Sequence, residues 1–113
     1  MTDCVFCKII KGDIPSKKFY EDDEFIIIAD INPQADKHYL LIPKRHYADI
    51  TQMTDEDAAV LARALKKLSS LADELGLSNG FRIINNKGAD SCQSVFHLHI
   101  HILGGNKLSE RMG

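Results

Sequence analysis

Histidines at positions 97, 99 and 101 alternate with Leu98, Ile100 and Ile102, and this period of two is the tightest constraint the chain places on its own folding. Such alternation is a strand pattern, so the three imidazoles share one face while the aliphatic side chains point to the other. The run from His97 to Leu103 is stopped by Gly104-Gly105. Same-face neighbours on a strand lie about 6.7 Å apart and the outer pair about 13 Å apart, whereas two imidazoles on one zinc span at most about 11 Å between their Cβ atoms. Neighbours can share a metal, but His97 and His101 cannot, and the three histidines are expected to hold different jobs.

A chain of 113 residues fits one domain, residues 1–113, with room for one core. A net charge of −2, with basic residues only in short pieces such as Lys17-Lys18 and Lys44-Arg45, leaves no electrostatic footprint for a nucleic-acid backbone. No apolar run is long enough to span a bilayer, and Met1-Thr2-Asp3-Cys4 lacks the basic start and apolar stretch of a signal peptide. A cytoplasmic protein that binds neither nucleic acid nor membrane is expected.

Cys4 to Ile10 reads as a short helix ended by Gly12. Lys17 to Tyr20 and Phe25 to Ala29 read as strands around Glu21-Asp22-Asp23-Glu24, a solvated turn and not a metal site. Tyr39 to Ile42, Phe81 to Ile84 and His97 to Leu103 supply three more strands. A long helix begins at Thr54, with Asp57 at the capping-box position, and ends at Gly76. Its stripe of Leu61, Leu65, Leu68, Leu71, Ala72 and Leu75 must cover a sheet. Short turns favour an antiparallel meander, and one helix on one face leaves the other face and an edge for a second copy to cover.

Cys4 and Cys7 form a Cys-x-x-Cys pair. A redox pair, half a zinc site and two inert cysteines are the readings open to it. The thioredoxin-like arrangement needs a strand before the pair, and only three residues precede it. Zinc is favoured, and His46 with His97 would complete a closed Cys₂His₂ set.

The ordered set of motifs then becomes specific. Phe6-Cys7-Lys8-Ile9-Ile10, Ile14-Pro15, Glu21-Asp22-Asp23, Asp30-Ile31-Asn32-Pro33-Gln34-Ala35, Ile42-Pro43-Lys44-Arg45-His46, Asn86-Lys87-Gly88 and Gln93-Ser94-Val95-Phe96 all lead into the three histidines. Over nearly its whole length the chain resembles the histidine triad superfamily, and within it the nucleotide-binding branch whose members hydrolyse nucleoside phosphoramidates. The resemblance implies an α+β fold with a five-stranded antiparallel sheet, extended to ten strands in a homodimer. It also implies one structural zinc per chain on Cys4, Cys7, His46 and His97.

By the same resemblance His99 is the nucleophile that takes up a nucleoside monophosphate, to be freed later by water. Neutral imidazole suits that work, provided that a backbone carbonyl holds the proton on its other nitrogen. His38 supports the nucleophile or its neighbours, and His101 donates to the phosphate with help from Ser94 and Gln93. Ser94 lies near the leaving group, Asn86 near the phosphate or sugar, and Asp30 accepts from both ribose hydroxyls. Val5, Phe6, Ile9, Ile28 and Ile31 match the apolar pocket for a purine base, although ordinary core would use the same residues. Cys92 stands where relatives usually have glycine and is expected to narrow the phosphate loop. The expected activity is release of AMP or GMP from a phosphoramidate with no cofactor in the chemical step. A dinucleoside polyphosphate hydrolase, a nucleotidyltransferase and a non-catalytic nucleotide-binding module are the alternatives.

Overall fold

The computed structural model describes residues 4–112. They run in the order α1 (Val5–Lys11), β1 (Lys18–Glu21), β2 (Phe25–Ala29), β3 (Lys37–Pro43), α2 (Asp55–Leu71), β4 (Phe81–Ile84) and β5 (Ile100–Gly104), with 3-10 turns at Ile50–Gln52 and Ala89–Ser91. Among the described residues this is an α+β fold of five strands and two α-helices, every strand pairing antiparallel in the order β1-β2-β3-β5-β4. The expected meander holds only from β1 to β3. β5 inserts between β3 and β4, because the α2 connection carries the chain past the place beside β3 and sets β4 at the edge. β3 and β4 thereby run the same way, which a helical crossover allows and a short turn does not.

The unbroken apolar runs of β2 and β3 are explained by cover on both faces. Phe25, Ile27, Tyr39 and Leu41, with Ile100 and Ile102 of β5, pack on Ala64 and Leu68 of α2. Ile26, Ile28, Leu40 and Ile42 pack instead on Phe6 and Ile9 of α1. Each such aliphatic side chain contributes about 1.5–3 kcal/mol when fully buried. The alternation of β5 therefore sends its isoleucines into the α2 layer and leaves its histidines on the α1 side.

The β5 ladder begins at Ile100, opposite Leu41, and not at the expected His97. β3 ends at Pro43, whose carbonyl is met by the ring of His97 at 2.7 Å instead of by a strand amide. Leu98 N–H turns to the Tyr47 carbonyl at 2.7 Å. Leu98 is nonetheless fully buried, so the alternation outlasts the pairing.

The acidic run is a turn, as expected: Asp22 Oδ1 accepts from the amides of Glu24 and Phe25 at 2.7 and 3.0 Å, and Glu24 pairs with Arg63. Thr54 and Asp57 close the capping box of α2, and Arg45 clamps the buried Asp57, holding its carboxyl well below the usual range. The helix ends at Leu71, five residues before Gly76, and the intervening turn keeps Leu75 in the core. Gly76 takes φ +78 where the chain leaves that turn. Along the outer strand β4, Phe81 and Ile83 are 40% and 45% exposed. No helix among the described residues is long and apolar enough to cross a membrane.

Candidate active site

Each histidine of the trio is fixed by a different partner, and the partner decides where its proton sits. A backbone carbonyl only accepts, so the nitrogen facing it carries the hydrogen. His97 Nε2–H donates to the Pro43 carbonyl at 2.7 Å, which leaves the Nδ1 lone pair free. His99 Nδ1–H donates to the His97 carbonyl at 2.8 Å, which leaves the Nε2 lone pair free. His38 Nδ1 accepts the Gln34 amide at 3.0 Å, so its Nε2–H is the donor toward His101 Nδ1 at 2.9 Å. His101 in turn keeps its hydrogen on Nε2. The middle and last histidines thus offer a lone pair and a donor, with ring centroids 5.1 Å apart.

Burial holds all of these rings neutral. It pushes His97 down to about 4, with smaller contributions from His46 and His99. His99 is lowered by burial against the opposing pull of the His97 carbonyl and Asp30. His101 is lowered by burial and then by His99 and His38, and His38 by burial, with Asp30 opposing in both cases.

A cavity of about 290 Å³ opens beside His99 and His101, walled by Val5, Phe6, Ile9, Ile14, Ile28, Leu40 and Val95. Ser16, Asp30 and Ser94 add polar atoms to its lining. Phe6 stands edge-on to His99 at 5.0 Å. Ile31 also lines the cavity, at its rim, where it is 91% exposed. A larger groove of about 480 Å³ runs past Gly76, Ser78, Asn79, Gly80, Gly105, Asn106 and Lys107. It holds no histidine, cysteine or carboxylate, so the smaller cavity is where the chemistry can happen.

Asn86 and Gln93 do not line the cavity. Gln93 is held in the loop: its side chain takes the Gly88 amide at 2.9 Å and donates to the carbonyls of Ala48 and Val95 at 2.8 and 3.1 Å. Where Asn86 was expected at the site, its neighbour Asn85 reaches in and donates to the His99 carbonyl at 2.9 Å. Asn85 is the residue sequence reasoning missed, and its one signal is an asparagine just past a strand, where such side chains bond backbone. Cys92 takes φ +64, a left-handed conformation in which a side chain costs about 1–2 kcal/mol relative to glycine. Its side chain is exposed and lies outside the cavity lining.

On the other flank of His97, the Cys-x-x-Cys pair and His46 close into one cluster. Cys4 caps α1 and accepts the Cys7 amide at 3.3 Å, which folds the pair toward a common centre. His97 Nδ1 lies 3.4 Å from Cys4 Sγ, 3.6 Å from Cys7 Sγ and 3.1 Å from His46 Nδ1, while Cys7 Sγ is 3.3 Å from His46 Nδ1. A tetrahedral Cys₂His₂ zinc spaces its donors by about 3.3–3.8 Å; three of these distances fall in that range and the His46–His97 pair is about 0.2 Å short of it, so the residues present fit that ion. Burial and the adjacent Cys4 thiol raise the Cys7 thiol, a cost that a bound cation would reverse.

Comparison with known proteins agrees with this geometry. The family described as scavenger mRNA decapping enzyme C-term binding matches residues 3–113. A HIT-like protein of Synechocystis sp. is 46% identical over 107 residues, covering 95% of this chain and 94% of its own. The structure of a HIT family hydrolase from Clostridium thermocellum superposes with a TM-score of 0.93 at 42% identity, over 99% of this chain and 98% of that one. A zinc-bound histidine triad family protein from Mycobacterium smegmatis superposes with a TM-score of 0.82 at 40% identity, over 97% of this chain and 82% of that one. With two of its three alternating histidines at one cavity, the third in the neighbouring Cys/His cluster, and these relatives matched along nearly its whole length, the chain belongs to the histidine triad family.

Proposed function

We propose that this chain is a hydrolase of purine nucleoside phosphoramidates that works by double displacement. One observation carries the reading: the His99 tautomer is locked by the His97 carbonyl, so its free Nε2 lone pair belongs to a ring that lines the cavity together with the donor His101. His99 Nε2 attacks the α-phosphorus, the phosphorus–nitrogen bond breaks, and the amine departs with a proton from the site. Water then attacks the nucleotidyl-histidine, releasing AMP or GMP and restoring the imidazole. His101 Nε2–H steadies the phosphoryl oxygens as charge builds, and the Ser94 hydroxyl donates toward the leaving group. The apolar wall of Val5, Phe6, Ile9 and Ile28 takes the base, with Ile31 across its rim. Asp30 takes the ribose hydroxyls, and Asn86 and Gln93 act through the loop they belong to.

Zinc belongs to the frame of this site and takes no part in the reaction. Cys4, Cys7, His46 and His97 would hold it, tying α1 and its pocket residues to the strand that bears the nucleophile. A second copy belongs on the β4 edge, where Phe81 and Ile83 are exposed and strand pairing would extend the sheet to ten strands.

His99→Ala is expected to retain the fold by circular dichroism and lose at least about 10³-fold in AMP release from an adenosine phosphoramidate; unchanged turnover would remove the mechanism. Because burial lowers His99 and His101, the attacking lone pair survives mild acid. The acid limb of kcat/KM should therefore fall below about pH 6.5, and a limb above that value would contradict the assigned neutral rings. Elemental analysis should find one zinc per chain, and Cys4→Ser or His46→Ala should lose the metal together with at least about 2 kcal/mol of stability. Zinc-free wild-type protein would end that assignment. Light scattering should give twice the mass of one chain, with Ile83→Asp shifting the protein toward monomer; a monomeric wild type would refute the edge pairing.

A further inference from the structure

The carboxylate of Asp30 faces two ways. Oδ1 is held by the Asn32 amide at 2.8 Å, while Oδ2 lies 3.3 Å from His38 Nε2 and 3.9 Å from His101 Nδ1. The Gln34 amide commits His38 Nδ1 as an acceptor, so His38 has a single hydrogen to give, on Nε2. That hydrogen has two acceptors within reach, His101 Nδ1 at 2.9 Å and Asp30 Oδ2 at 3.3 Å. Asp30 also lines the cavity, with its side chain 15% exposed. The same three side chains form a Cys- and Glu-free cluster able in principle to draw in a cation. A cation would need the His38 Nε2 lone pair, however, and the Gln34 amide holds that nitrogen protonated. The cluster is built to share a proton.

We infer that Asp30 couples recognition of the ribose hydroxyls to the donor strength of His101, with His38 as the positioning residue between them. The inference rests on the nucleotide reading given above. In the free protein Oδ2 competes with His101 for the His38 hydrogen. A ribose diol donating to Oδ2 uses the lone pairs that faced His38, and the His38 hydrogen passes wholly to His101 Nδ1. A ring that accepts a stronger hydrogen bond at Nδ1 gives up electron density to it, and its Nε2–H becomes a stronger donor, while the diol takes the place of the His38 hydrogen at the Asp30 carboxylate. The net result is that His101 is held in one tautomer and one orientation, with Nε2–H presented to the phosphoryl group, when a ribonucleotide is bound. The ribose then contributes to the rate of the chemical step and not merely to binding.

The test compares matched adenosine and 2′-deoxyadenosine phosphoramidates on the wild-type protein, and again on Asp30→Asn, which retains an oxygen for the Asn32 amide. The wild type should lose about three- to tenfold in kcat with the deoxy substrate, beyond any change in KM, and Asp30→Asn should hydrolyse the two with nearly equal kcat. A second readout needs no turnover: long-range ¹H–¹⁵N spectra of the imidazoles with saturating AMP or 2′-deoxy-AMP. AMP should move the His38 Nε2 and His101 Nδ1 resonances, and 2′-deoxy-AMP should move them by about half as much or less. Equal shifts from the two nucleotides, a deoxy penalty confined to KM, or a kcat penalty that persists in Asp30→Asn would each overturn the coupling. A differential shift in a protein that hydrolyses neither substrate would support the coupling and remove the catalytic reading. No response to AMP at all would overturn both.

Discussion

The backbone of β5 carries the constraint on which the rest depends. Its isoleucines at 100 and 102 are locked into the layer under α2, and that burial leaves the intervening histidines no choice of face. Because β5 lies between β3 and β4, it is held from both sides, and Asn85 adds a further tie at the His99 carbonyl. A one-residue slip would exchange imidazoles for isoleucines on both faces, emptying the core and the site together. The register of one strand thus serves stability and chemistry at once.

Main-chain carbonyls complete what the register begins. Pro43 and His97 each present an acceptor to a ring nitrogen, and those two bonds assign opposite tautomers to neighbouring histidines. In His97 the free nitrogen is Nδ1, facing two sulfurs and a second imidazole. In His99 it is Nε2, on a ring that borders the cavity. Identical residues two positions apart acquire different chemistry because each meets a different fixed dipole. Burial then keeps both rings neutral, which a metal ligand and a nucleophile equally require. The backbone of one histidine orients the side chain of the next, so His97 joins the cluster around Cys4 and Cys7 to the cavity, as α1 does from the other side.

Local patterns in the sequence carry most of this. The alternation from His97, the capping box at Thr54 and Asp57, the turn at Asp22 and the helix between Cys4 and Gly12 all rest on residues near in sequence, and all are present in the structure. Strand order is less accessible, because nothing in the composition of β5 distinguishes an edge from a central place. The length of β5 depends likewise on where β3 ends, at Pro43. Gln93 and Asn85 show the limit most sharply. An amide side chain bonds whichever backbone groups tertiary packing leaves unpaired, and for Gln93 these include Ala48, 45 residues away. The left-handed backbone at Cys92 is one that glycine adopts without strain, whereas the exposure of its side chain is set by the fold.

The claim at the centre is a covalent bond from one imidazole nitrogen to phosphorus. Rapid acid-free quenching of the protein with an adenosine phosphoramidate, followed by mass spectrometry of the intact chain and its peptides, reads that bond directly. The account predicts a gain of one adenylyl group, located on His99 and chased away by further incubation in water. Steady release of AMP with no adduct on the enzyme at any quench time, or an adduct on another residue, would contradict it.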